Sequence, residues 1–132
     1  MLRAFLLYAS SLAVLLFILL IGRPAFAENA EPCAAATNTL ELNECAQRQF
    51  DRQEKQLNAV YQDTLKLLEG SATKQLLIAA QRRWVEFRQA DCDAQRNLFE
   101  GGTVAPQVYL GCMVDHAKQR GKELDPSNWA RG

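Results

Sequence analysis

The residues best suited to covalent chemistry are four cysteines, Cys33, Cys45, Cys92 and Cys112. No two of them form a C-x-x-C pair and His116 is the only histidine, so the ligand spacing of a zinc site is lacking. An even count in a chain bound for an oxidising compartment predicts two disulfides and leaves no thiolate for nucleophilic catalysis. Other catalytic constellations are missing as well. Asp115, beside His116, points to a different helical face, and the chain carries no G-x-S-x-G, phosphate-cradling loop or zinc-protease helix. The expectation is a chain with no chemistry of its own, and with no metal or cofactor.

A second group, on one face of a helical stretch, is Gln81, Trp84 and Arg88, at steps of three and four. Arg88 is expected to clamp against a carboxylate on a neighbouring helix, with Asp51 as the partner, because a partly buried guanidinium needs one. Tyr61 and Trp84 read as core aromatics, and Asn58 as a residue facing a neighbouring backbone. Arg82, Arg83, Arg88 and Arg96 concentrate basic charge on the same stretch. Glu86, Asp91 and Asp93 interrupt it, which favours a solvated face with intrahelical ion pairs over a binding patch.

The elements that must position these residues are helical. Asn38 is an N-cap with Glu41 three residues on, and no glycine or proline follows until Gly70. Between them Leu42, Cys45, Gln49, Gln53, Leu57, Val60, Tyr61, Leu65 and Leu68 form an amphipathic stripe. Gly70-Ser71 supplies a stop and a new cap. A second helix is expected from Ala72 to Phe99, with Leu76, Leu77, Ala80, Trp84, Phe87 and Leu98 as its apolar positions. Gly101-Gly102 ends it, Thr103 is expected to cap a third helix reaching Leu124, and Asp125-Pro126-Ser127-Asn128 is turn chemistry before a tail carrying Trp129. The fold class is therefore all-α: a long antiparallel helical hairpin plus a third, shorter helix, stapled by two disulfides. The hairpin register sets Leu57 beside Trp84, Tyr61 beside Ala80 and Asp51 near Arg88. At the second turn it sets Cys92 opposite Cys112, which favours that bridge and leaves Cys33 to Cys45. The alternative, Cys33 with Cys92 and Cys45 with Cys112, stays open.

Residues 1–27 are a secretory signal peptide by pattern: Arg3, the apolar run Leu12–Ile21, then Ala25-Phe26-Ala27 with small residues at the −3 and −1 positions. The alternative is a retained anchor, since the apolar stretch from Ala4 nears the length of a membrane span. With cleavage after Ala27 the remaining domain, residues 28–132, has no stable membrane insertion and is periplasmic or secreted. The whole chain has 15 basic and 15 acidic residues. Removing Arg3 and Arg23 leaves 13 against 15, a net charge of −2, which argues against a phosphate-tracking nucleic-acid binder.

The ordered pieces Cys33, Asn43-Glu44-Cys45-Ala46, Asp51, Leu57-Asn58 with Tyr61, Ala79-Ala80-Gln81-Arg82-Arg83-Trp84 with Arg88 and Cys92, Gly101-Gly102-Thr103, and Cys112 with Arg120 and Leu124 resemble the lysozyme inhibitor LprI-like family. This family of small exported helical domains was formerly classed as a domain of unknown function. Thr103 stands where serine is more usual, and no cysteine stands where a lipoprotein is acylated. The resemblance implies a disulfide-stapled envelope protein and, through the family's name, an inhibitor of lysozyme-type muramidases acting by cleft occlusion. Its partner would be lysozyme or another envelope protein. The competing expectation is a structural or adaptor module of the cell envelope without inhibitory activity.

Overall fold

The computed structural model describes residues 33–130. The segment read as a signal peptide, residues 1–27, and the polar start at 28–32 lie outside the described residues. The chain forms four helices, α1 (Thr39–Leu67), α2 (Ala72–Asn97), α3 (Ala105–Glu123) and the single-turn α4 (Pro126–Trp129), and no strand among the described residues. At 29 residues, α1 is a rod of about 44 Å.

Local chemistry sets the ends. The Asn38 side chain accepts a hydrogen bond from the Glu41 amide at 3.0 Å. The Glu41 carboxylate reaches one residue further out than a capping box requires, accepting from the Thr37 amide at 2.7 Å and its hydroxyl at 3.0 Å. Those bonds hold the Glu41 carboxyl below the ordinary carboxylate range. Gly70 and Gly101 close the first two helices with φ of 76° and 77°, a left-handed conformation that a side chain disfavours. Ser71 caps α2, as its position predicts. Thr103 does not cap α3: the N-cap is Val104, already helical and without a side-chain bond, because the turn winds into α3 through backbone bonds from Gly102 to Phe99 and from Ala105 to Gly102.

The hairpin and third helix form as expected, but α3 is the central element. It packs along both α1 and α2, and α4 packs on α1. Cys112, Met113, Val114 and Ala117 of α3 are all buried, because this helix is covered on two sides. One core cluster joins Leu57 and Leu68 from the α1 side, Leu77 from α2, and Ala117 and Leu124 from the α3 side. Val60, Tyr61, Leu65, Trp84 and Trp129 pack against it. The Thr64 hydroxyl, fully buried, closes this end by donating to the Leu124 carbonyl. A second cluster is built around Cys92, Cys112 and Met113, with Phe50 and Tyr109 against it.

The two disulfides are Cys33–Cys45 and Cys92–Cys112, with Cα atoms 5.8 and 5.6 Å apart, and no cysteine is left free among the described residues. This is the favoured pairing. Leu57 and Trp84 share a cluster as the register required. Ala80 is exposed and lies outside the cluster that takes in Tyr61; Leu76, Phe87 and Leu98, which the helical pattern grouped among the apolar positions of α2, are exposed as well. No described helix is long and apolar enough to cross a membrane.

Candidate functional site

The inward face of α2 gathers the residues singled out by spacing. Gln81, Trp84, Arg88 and Cys92 follow one another at steps of three and four, so a single helix face carries them all. Arg88 is buried and reaches across to α1, where its two terminal nitrogens donate to the two oxygens of Glu54 at 2.5 and 3.3 Å. The expected partner was Asp51, and the structure corrects it. Asp51 is exposed and accepts instead from Gln47 one turn back, whereas Glu54 lies three residues before the buried Leu57 and shares its inward face.

The Arg88 guanidinium also lies over the Trp84 ring, 4.6 Å from its centroid, and Arg120 of α3 approaches the same ring at 5.7 Å. Arg120 is fixed by donating to Gln81 at 2.9 Å and to Glu123 at 2.8 Å. Gln81, Trp84 and Arg88 are thus brought together, with Arg120 and Glu54 completing a clamp that ties all three long helices. Both cations use the negative face of the indole. Among the described residues the buried Arg88 Nε has no hydrogen-bond partner. Tyr61 packs nearby against the core cluster, but Asn58 is exposed and does not face a neighbouring backbone.

A second polar group lies beside the Cys92–Cys112 bridge. His116 of α3 is half-buried, with Nε2 2.9 Å from an Asp91 oxygen on α2 and its ring edge-on to Phe87 at 5.6 Å between centroids. The hydrogen bond to His116 holds the Asp91 carboxyl below its ordinary value, helped by one from Gln95. Ligand atoms of Asp91, Cys92, Cys112 and His116 all fall within 4.8 Å of one another. The register that sets Cys92 opposite Cys112 brings Asp91 and His116 to the same place, since one is the neighbour of Cys92 and the other lies one turn beyond Cys112. With both sulfurs joined in the disulfide, one imidazole and one carboxylate remain, short of the four ligands of a zinc site.

The third feature is the turn from Leu98 to Val104. Leu98 is 80% exposed, Phe99 44% and Val104 40%, and Glu100, Gly101, Gly102 and Thr103 between them are exposed too. The Cys92–Cys112 bridge pins the two helices below this turn, and a contact of Arg96 with the Tyr109 ring, 5.3 Å from its centroid, and a bond from Tyr109 to Gln89 at 2.9 Å add to the brace. The basic stretch of α2 resolves into separate roles. Arg96 pairs with Asp93, Arg88 is buried in the clamp, and Arg82 and Arg83 are exposed.

The chain is similar to an uncharacterised protein, R02472, of Rhizobium meliloti (strain 1021), 25% identical over 114 aligned residues that cover 76% of this chain and 82% of that one. No solved structure gives a significant match. The family described as Lysozyme inhibitor LprI matches residues 31–124, the span from the first disulfide through the clamp to the end of α3. The chain belongs to the lysozyme inhibitor LprI family.

Proposed function

We propose that this chain is an exported, non-enzymatic binding protein that inhibits a lysozyme-type muramidase by occluding its cleft, with the turn Leu98–Val104 as the inserting element. Membership of an inhibitor family over residues 31–124 carries the proposal. Export through residues 1–27, with cleavage after Ala27, is part of it, and the two disulfides suit an oxidising compartment. The clamp of Arg88, Glu54 and Trp84 serves the scaffold, so function is left to the surface.

Three properties of the turn support its role. It exposes apolar side chains at a helix junction, the glycines at its tip make it slender, and the disulfide beneath it lowers the entropy lost on docking. A muramidase cleft works through two carboxylates and grips sugar rings, so a wedge carrying Phe99 and Val104 would displace substrate without meeting the acids with a charge of its own sign, provided Glu100 stays at the rim. A net charge of −2 over residues 28–132 would speed encounter with a basic lysozyme.

The test is a turbidity assay of c-type lysozyme on bacterial cell walls with increasing amounts of the oxidised protein. Saturable inhibition is expected, and Phe99→Ala is expected to weaken it about 30-fold, the size of a central hot-spot truncation. Full inhibition by Phe99→Ala and Val104→Ala would move the binding surface elsewhere. No inhibition by folded wild-type protein at large molar excess would refute the reading and favour the envelope adaptor.

A further inference from the structure

The outward face of α2, continued by its C-cap Leu98, carries a row of residues that the core does not use and that shares only Leu98 with the exposed turn. Leu76 is 71% exposed, Phe87 58% and Leu98 80%, each eleven residues from the next. Ala80, Arg83 and Ala94 are exposed between them and Asp91 is partly so, giving steps of four, three and four repeated twice. Eleven residues in three turns is 3.67 per turn, close to the natural 3.6. The row therefore drifts only about 20° per repeat and stays on one face for roughly 33 Å.

The row is also a palindrome about Phe87. Leu76 and Leu98 are equidistant from it, as are Ala80 and Ala94, and Arg83 and Asp91. We propose that two copies of this chain pair through this face, with their α2 helices antiparallel about a two-fold axis at Phe87. That arrangement sets Leu76 against Leu98 of the second copy, Ala80 against Ala94, and Phe87 against its own counterpart. It also sets Arg83 against Asp91, so opposite charges meet on both sides of the axis.

Arg83 is exposed and makes no ion pair among the described residues, so its charge is available. Asp91 keeps 39% of its side chain exposed while it accepts from His116. The alanines let the two helices approach closely. A parallel pairing would set Arg83 on Arg83 and Asp91 on Asp91, a like-charge arrangement that costs free energy. A second copy fits better than an unrelated partner, since a different protein would place no symmetry requirement on the row. The antiparallel pairing sends the two turns to opposite ends and takes up only Leu98 of each, leaving Phe99 and Val104 of the proposed inhibitory element uncovered.

Sedimentation velocity of the purified, disulfide-intact protein over a wide concentration range tests the pairing without any lysozyme present, so its outcome is independent of the inhibition assay. The mass is expected to double with concentration. Phe87→Glu and Arg83→Asp should each weaken the dimer about ten-fold or more while helical content is kept. Leu98→Glu, away from His116, serves as a second disrupting variant. Under mild oxidation, with the native bridges verified by mass, Phe87→Cys should cross-link to itself. Ala80→Cys should link to Ala94→Cys in a mixture, and neither to itself. A monomer at every concentration, or linkage of Ala80→Cys to itself in place of the mixed product, would overturn the proposal. So would a Phe87→Cys thiol shielded from maleimide in a monomer, which would mean that this chain's own remaining residues cover the row.

Discussion

Removing the carboxylate from Glu54 should harm this protein more than removing it from Asp51, although only Asp51 is prominent in the sequence motif. A buried guanidinium stripped of its partner keeps its desolvation penalty, and Arg88 is nearly fully buried while Glu54 retains some water. Glu54→Gln and Arg88→Ala are therefore each expected to cost about 3 kcal/mol, the low end for a broken buried pair, and Asp51→Asn less than about 0.5 kcal/mol. Urea midpoints decide this, and equal losses at Glu54 and Asp51 would contradict the clamp as described. The need for a carboxylate opposite Arg88 was legible in the sequence, and so was its helix. The inward stripe of α1 separates the two acids. Glu54 is three residues from Leu57 and shares its face, while Asp51 is six away and points out. Asp91 with His116 is a different case, because the pair shows only when the register that opposes Cys92 and Cys112 is followed to their neighbours.

At the scale of elements, the punctuation of this chain is strong. Asn38, Gly70, Ser71 and Gly101 each do what their chemistry demands. Gly101→Ala is expected to destabilise by about 1 kcal/mol, since a Cβ at φ 77° is strained even though nothing lies within 4 Å of it. Gly111, inside α3 and also with open space around it, should respond with the opposite sign: Gly111→Ala gains about 0.5–1 kcal/mol of helix propensity. Thermal melts of the two variants check the pair, and stabilisation by Gly101→Ala would show that the turn is not held as described. What periodicity could not show was which apolar stripe of α2 turns inward. α2 carries two, Leu77–Trp84–Arg88–Cys92 and Leu76–Ala80–Phe87–Leu98, and helical spacing alone weights them equally. The position of α3 decides between them, and that is a tertiary fact. For the same reason a hairpin register written for two touching helices works only approximately once a third lies along both.

The molecule as a whole is small for its task, with a core split into two clusters and correspondingly dependent on its staples. Loop closure assigns each bridge a stabilisation of about 3 kcal/mol, since the separations of 12 and 20 residues enter only logarithmically. The two should nonetheless differ. Cys92 is fully buried and Cys112 nearly so, packed with Met113, Phe50 and Tyr109, so the Cys92→Ala/Cys112→Ala variant loses core contacts on top of the constraint. Cys33 is only half-buried and sits at the start of the described chain, outside both clusters. Removal of the Cys33–Cys45 bridge is expected to lower Tm by about 12–24 °C, and removal of Cys92–Cys112 by more. The functional consequence should separate in the same direction. The Cys92–Cys112 bridge joins the two helices that carry the exposed turn at Leu98–Val104, whereas Cys33–Cys45 ties the entry segment to the start of α1 and touches neither of them. At a temperature where both variants remain helical, inhibition of lysozyme should fall with the first and persist with the second. Equal inhibition by the two would detach the turn from the activity and leave the bridges with a purely structural part.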